Sequence, residues 1–211
     1  MSGPAVLFDL DGTLVDSAVQ ICDGLRAALA AVGVAAPDES ALRACIGLPI
    51  QHVWRRLGVP DAALETARAG YRDWSAGSAP PPPFPGIDDL LHELRATGRP
   101  LLLASAKDTA SARRHLALHG WDGLFLGASG VEPGDGPDKR ALVARGLAML
   151  PPAVRAGAVL VGDMPVDGDA ATDNGIGFLA VAWGYGARAD LLAQRPLALV
   201  EDVAHLRRLL A

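Results

Sequence analysis

Lysine is scarce in this chain. Of its 19 basic side chains only Lys107 and Lys139 are lysines, and arginine supplies the rest. Positive charge as a whole is outnumbered, with a formal net charge of -5 and a pI near 5.5. Without a basic stripe, a general affinity for nucleic acid or for an anionic membrane surface has no electrostatic footing. Long apolar runs are also missing. The first, Ala5–Phe8, is stopped by Asp9 and Asp11, which does not read as a signal-peptide core. No later run approaches the roughly 20 residues a membrane helix needs. Cysteine is limited to Cys22 and Cys45, too few for a disulfide framework, so both read as buried thiols. A cytoplasmic protein that handles a small molecule is the expectation; the oligomeric state is not legible.

What is present is apolar residues in short blocks. Half of the 211 residues are hydrophobic, enough to bury one core with a modest insertion. The runs Ala5–Phe8, Leu101–Ala104, Leu124–Leu126, Val159–Val161 and Phe178–Val181 each end at a polar or glycine cluster and read as buried parallel strands. Helical patterns over Ile87–Ala96, Ala110–His119, Lys139–Met149 and Asp167–Asp173 lie between them, with Gly98, Gly120 and Gly175 as stops. Strands alternating with helices predict a doubly wound, Rossmann-like α/β sheet. Residues 17–79 break this alternation. Helical periodicity in Gln20–Ala31, Glu39–Ala44, Gln51–Leu57 and Ala62–Trp74, with no strand among them, predicts an all-helical cap inserted after the first strand. The predicted domains are therefore 1–16 with 80–211 as the α/β core and 17–79 as the cap. The run Pro80–Pro83 followed by Phe84-Pro85-Gly86 closes the insertion and predicts an extended connector, either a hinge strut or a plain surface linker.

The first strand runs directly into Asp9-Leu10-Asp11-Gly12-Thr13-Leu14. Two carboxylates one residue apart at the carboxyl end of a strand sit where open α/β sheets bind ligands, although Asp11-Gly12 alone is also good turn chemistry. Ser105 ends the second core strand, and Gly162-Asp163-Met164-Pro165-Val166-Asp167 follows the fourth. Three strand ends thus bring polar residues toward one crevice.

Phe8–Ser17 resembles the first signature of the haloacid dehalogenase superfamily, and Ser105, Lys139 and the pair Asp163 and Asp167 resemble its second, third and fourth. The order and spacing agree from about residue 5 to 188. Within the superfamily, Ile46-Gly47-Leu48-Pro49, Phe84–Ile87, Gly127-Ala128-Ser129 and Trp183-Gly184-Tyr185-Gly186 are similar to the phosphoglycolate-phosphatase-like group with a helical cap. The resemblance implies a phosphatase in which Asp9 is the nucleophile and Asp11 the general acid and then base. It further implies that Thr13, Ser105, Ala106, Lys107 and Lys139 meet the phosphoryl group. Mg²⁺ would be held by the Asp9 carboxylate, the Asp11 backbone carbonyl and Asp163, with Asp167 coordinating directly or standing behind. Physical chemistry agrees with that set. Clustered carboxylates repel a dianionic phosphate, and a hard divalent cation with oxygen ligands resolves the conflict. The partner expected is a small phosphorylated metabolite.

The departures are specific. Met164-Pro165 stands where a basic residue commonly follows the aspartate, Asp169 competes with Asp167 as a ligand, and Leu48 replaces a frequent proline. The five histidines lack metal-ligand spacing and read as surface or core residues. Trp54, Tyr71 and Trp74 read as cap core, Arg43 as an exposed helix arginine, and Trp183–Gly186 as a turn closing the sheet edge. Dehalogenation is disfavoured because halide loss has no use for Asp11, and Schiff-base phosphonate cleavage because residues 17–79 hold no lysine. A sugar-phosphate mutase or pyrophosphatase on the same core stays open, as does a non-catalytic phosphate binder.

Overall fold

A computed structural model describes residues 3–48, 50–132 and 138–211. The chain divides into two compact units, Met1–Asp16 with Pro82–Ala211 and, separately, Ser17–Pro81. In the first, a six-stranded sheet is built from β1 (Val6–Phe8), β2 (Leu101–Asp108), β3 (Gly127–Val131), β4 (Val159–Gly162), β5 (Gly177–Val181) and β6 (Ala198–Val200). Every pairing is parallel and the order is β3-β2-β1-β4-β5-β6. Parallel neighbours require crossovers, which α5 (Ile87–Ala96), α6 (Thr109–Leu118), α7 (Lys139–Ala148), α8 (Pro152–Arg155), α9 (Pro165–Asp173) and α10 (Arg188–Ala193) provide before α11 (Val203–Leu210) ends the chain.

The strands read as unbroken apolar runs because both faces of the sheet are covered. Val6, Phe8, Leu101 and Leu103 point into a cluster with Ile87, Leu90 and Leu91 of α5 and Leu206 and Leu210 of α11. Their alternates Ala5, Leu7, Leu102 and Ala104 pack on the other side with Val143 and Leu147 of α7 and Ala170 and Ala171 of α9. Side chains alternate along a strand, so a two-sided core needs apolar residues at every position. The central β1 lies between β2 and β4, where the winding reverses, and this is the position at which such sheets open a crevice.

Three expectations need correction. The third strand is Gly127–Val131 and not Leu124–Leu126. Leu124 donates its N–H to the Trp121 carbonyl in a turn, and Leu126 is 56% exposed. The apolar triplet only approaches the sheet, while the strand itself is Gly-Ala-Ser-Gly-Val, small residues packed beneath α7. Trp183–Gly186 does not close a sheet edge, because β6 pairs with β5 beyond it. Finally, Pro82 and Pro83 do more than span space: the Asp16 N–H donates to the Pro82 carbonyl at 2.9 Å, Phe84 N–H donates to Leu14 at 3.0 Å, and Val15 bridges Pro83. Proline offers a carbonyl but no N–H, so this pairing uses what the ring leaves available.

The second unit is helical among its described residues, with α1 (Ala18–Ala31), α2 (Glu39–Arg43), α3 (Ile50–Arg56), a single 3-10 turn at Asp61–Ala63 and α4 (Leu64–Gly77). Its own core joins Leu25, Leu29, Leu42, Trp54 and Ala67 with Cys22 and Cys45, both free and buried. Trp54 meets Tyr71 edge to face. Arg43 pairs on the surface with Glu39. Pro49, part of the Ile46–Pro49 motif, lies outside the described residues. No helix among the described residues is long and apolar enough to cross a membrane.

Candidate active site

The sheet places its polar residues where β1, β2 and β4 end. Asp9 follows the last residue of β1 and donates its N–H to the Val161 carbonyl of β4. Asp163 follows the last residue of β4, whereas Ser105, expected to end the second strand, stands within β2, which runs on to Asp108 past an irregularity in its pairing with β3. The loop after Asp9 folds back on itself, with Leu14 and Val15 donating to the Leu10 carbonyl and Gly12 to Val15. Gly12 has φ near 79°, a left-handed conformation, and a Cβ there would stand 2.3 Å from Asp163 Oδ2. The loop can lie against Asp163 only because residue 12 is glycine.

Asp9, Asp163 and Asp167 are all buried and present carboxylate oxygens within 4.8 Å of one another. Lys139 enters from the first turn of α7. A cation there opposes the helix dipole and is nine-tenths buried, so the position needs specific compensation. It is found in two ion pairs, Nζ to Asp9 Oδ1 at 2.5 Å and to Asp167 Oδ1 at 2.9 Å. Asp167 is fixed in turn by the start of α9, where Pro165 takes the first helical position and the Met164 N–H donates to Asp167 Oδ2 at 3.1 Å. Asp169 is exposed and stands outside this cluster.

A third ion pair lies more open to solvent, Lys107 Nζ to Asp11 Oδ2 at 2.9 Å. Ser105, almost wholly buried, accepts the Lys107 N–H through Oγ at 3.2 Å, while Ala106 between them is exposed. Thr13 is wholly buried and its hydroxyl donates to Asp163 Oδ1 at 3.1 Å. Both lysines therefore face carboxylates of the β1 loop.

The electrostatics follow from burial. Loss of hydration pushes the Asp9 carboxyl up to about 7; Lys139 opposes the shift, and Asp167 and Asp11 add to it. Asp163 is raised well above the usual carboxylate range, first by burial and then by Asp9 and Asp167. Burial alone would lower Lys139, but Asp167 and Asp9 carry it above its ordinary value. When ionised, the three carboxylates exceed the one ammonium by two negative charges in a buried space, an excess that a divalent cation would balance. Carboxylate oxygens are hard donors with lone pairs to spare beyond the hydrogen bonds described, so the residues present fit Mg²⁺.

Sequence reasoning missed the contribution of Trp183–Tyr185. The Tyr185 N–H donates to Asp163 Oδ2 at 2.8 Å and the Trp183 indole to the Thr13 carbonyl at 3.1 Å. Its aromatic and glycine pattern was the available signal, and only the sheet order reveals that it turns toward Asp163.

The haloacid dehalogenase-like hydrolase profile matches residues 6–181. The chain belongs to that family. Among curated relatives, tyrosine-protein kinase PtkA of Mycobacterium tuberculosis is 36% identical over 201 residues, covering 94% of this chain and 68% of that protein. A 5'-nucleotidase of Pseudomonas aeruginosa is 31% identical, covering 98% and 95%, and a phosphoglycolate phosphatase of Cereibacter sphaeroides is 33% identical, covering 86% of each. A haloacid dehalogenase-like hydrolase from Streptococcus pneumoniae superposes with a TM-score of 0.84 at 30% identity, covering 99% and 97%. This haloacid dehalogenase-like hydrolase is thus an enzyme with phosphatase-named relatives, and its likeness to the phosphoglycolate phosphatases reaches well beyond the four short motifs.

Proposed function

We propose that the protein is a Mg²⁺-dependent phosphatase that hydrolyses a small phosphate monoester in two steps through an aspartyl-phosphate on Asp9. The observation that carries this reading is Asp9 itself, a buried carboxylate at the end of β1 with Lys139 at 2.5 Å and two further carboxylates beside it. In the first step an Asp9 oxygen forms a bond to phosphorus while the ester oxygen leaves with a proton from Asp11. In the second, water attacks phosphorus, Asp11 takes its proton, and the Asp9 carboxylate is regenerated with inorganic phosphate released. General acid–base work of this kind contributes about 10²–10⁴-fold.

Lys139 holds Asp9 in place and offers positive charge to the phosphoryl oxygens. Ser105 Oγ–H, the Ala106 main chain and Lys107 supply further donors at the end of β2, and Lys107 keeps the Asp11 carboxylate turned toward the reacting atoms. Thr13, its hydroxyl engaged by Asp163, acts by orienting that carboxylate. Asp9, the Asp11 carbonyl and Asp163 would hold Mg²⁺, with Asp167 fixing Lys139 behind them. When bound, the ion neutralises the excess carboxylate charge and polarises the phosphoryl group.

The helical unit Ser17–Pro81 is proposed as the cap that selects the ester, and the cytoplasm as the place of action. The names of relatives put phosphoglycolate and nucleoside monophosphates on the assay panel, with phosphate transfer from ATP to a tyrosine peptide as a separate arm. The test is phosphate release from that panel with Mg²⁺, by the wild type and by Asp9→Asn. Turnover by the wild type and a loss of at least about 10³-fold in the variant are expected. Asp9→Asn turnover within tenfold of wild type, or full activity in excess chelator, would overturn the reading.

A further inference from the structure

We propose that the turn Trp183–Tyr185 is a positioning element of this reaction: its main chain holds Asp163 while its two aromatic side chains hold the β1 loop, and so it sets the nucleophile and acid against the metal-facing carboxylate. This rests on the function proposed above.

The turn makes its contacts in a closed circuit. Tyr185 N–H reaches Asp163 Oδ2 at 2.8 Å, while Thr13 Oγ1 reaches Asp163 Oδ1 at 3.1 Å. Each oxygen of Asp163 is therefore oriented by a donor from a different segment. The circuit closes through the turn itself, because the Trp183 indole N–H donates to the Thr13 carbonyl at 3.1 Å and the Tyr185 hydroxyl donates to Asp16 Oδ1 at 3.1 Å. The two aromatic side chains grip the loop at residues 13 and 16, beyond Asp9 and Asp11.

The backbone between them is in direct contact with the same loop. A Cβ on Gly184 would stand 2.2 Å from Asp163 Cβ and 2.5 Å from the Gly12 carbonyl oxygen, and one on Gly12 would meet the Tyr185 ring at 2.8 Å. Trp183 is braced from behind by Phe84, ring centroids 6.3 Å apart, and Phe84 donates its N–H to Leu14 of the same loop. The indole thus packs on a ring whose own main chain is bonded to the loop it binds.

The two side chains act on the loop at Thr13 and Asp16, and we assign them as positioning residues. Their donors go to the two pieces whose separation governs the reaction, the loop carrying Asp9 and Asp11 and the carboxylate at the end of β4. Misplacement of reacting groups by about 1 Å can cost about 10²-fold, so modest tethers have leverage. The molecule supplies a control. Trp121 makes the same kind of indole bond, Nε1 to Asp88 Oδ1 at 2.6 Å, but to α5 and away from these carboxylates.

The experiment compares Trp183→Phe, Tyr185→Phe and the control Trp121→Phe in the full chain. Each removes a donor and retains a ring. Measured are kcat and KM for p-nitrophenyl phosphate, the Mg²⁺ dissociation constant by calorimetry, the melting temperature, and amide hydrogen exchange over residues 10–16 without metal. Loss of one hydrogen bond corresponds to about fivefold. Trp183→Phe should weaken Mg²⁺ about fivefold or more, lower kcat by a similar factor with KM unchanged, and speed exchange in the loop. Tyr185→Phe, at the periphery and able to fold even where the tryptophan variant does not, should do the same about two- to fivefold. Trp121→Phe should lower the melting temperature alone. If both aromatic variants melt earlier but keep Mg²⁺ affinity, kcat and loop exchange at wild-type values, the inference falls and the proposed function stands. A wild type that neither binds Mg²⁺ nor turns over the ester overturns both.

Discussion

Lys139 and Asp9 meet at 2.5 Å although they are 130 positions apart in the chain. The same ammonium reaches Asp167, so a single side chain from α7 joins the end of β1 to the first turn of α9. Removing it leaves three buried carboxylates facing one another. Breaking a buried pair from one side costs about 3–5 kcal/mol. Lys139→Met should therefore melt well below the wild type at pH 8 without metal, and the deficit should shrink at pH 5, where the raised Asp9 and Asp163 carboxyls take up protons. With Mg²⁺ present, turnover should drop about 10²-fold or more. Equal melting temperatures at pH 8 would contradict the pairing.

Asp9→Asn should trade activity for stability. The Asp9 carboxyl is pushed up to about 7, so above neutrality the fold holds a charge that its surroundings disfavour. A neutral amide of the same shape removes that cost, while Lys139 keeps Asp167. In metal-free buffer at pH 8 the variant should melt above the wild type, by about 2–4 °C for each ~1 kcal/mol relieved, with the gap closing at pH 5. Thermal melts at the two pH values check the sign.

The metal-free protein should also respond to pH in a defined direction. Folded Asp9 and Asp163 bind protons more tightly than the unfolded chain does, so their contribution falls as pH rises from the ordinary 3.8 toward about 7. Mg²⁺ competes with those protons. The rise in melting temperature produced by a fixed Mg²⁺ concentration should be small at pH 5 and large at pH 8. A shift independent of pH would place Mg²⁺ elsewhere.

His115 carries the opposite sign. It is 7% exposed on α6, its Nδ1 has no hydrogen-bond partner among the described residues, and burial followed by the Lys107 charge depresses it to about 4. Between about 6.5 and 4 the unfolded chain takes up a proton that the folded chain refuses, so this contribution is lost as pH falls through that window. His115→Leu should gain on the wild type progressively from pH 7 to pH 4. Parallel melting curves across that range would exclude a buried neutral imidazole.

The sheet was legible where packing imposes one pattern on every residue. β1, β2, β4 and β5 are buried on both faces, and their apolar runs announce it. β3 was displaced because Gly127–Val131 has the composition of a loop, its pairing secured by α7 lying close overhead. β6 went unread because Ala198–Val200 is a short edge strand that is only partly buried, and its register with β5 is what defines it. Asp9, Asp163, Lys139 and Asp167 could be collected from motifs because each follows a strand or stands in the first turn of a helix. Which carboxylate Lys139 would join, and that Trp183–Tyr185 reaches Thr13, Asp16 and Asp163, depends on strand order, which periodicity does not encode.

The pairing of Asp16 with Pro82 has an evolutionary side. The chain leaves the sheet unit and returns to it at adjacent points, 2.9 Å apart from nitrogen to oxygen. An insertion whose ends are already joined is an interchangeable cassette. Trading it for a linker of a few residues lowers the loop-closure cost by about 2 kcal/mol and leaves every strand pairing of the sheet untouched. A lineage can therefore audition new inserts, helical or otherwise, against an unchanged set of carboxylates, and shuffling experiments can do the same at residues 16 and 82.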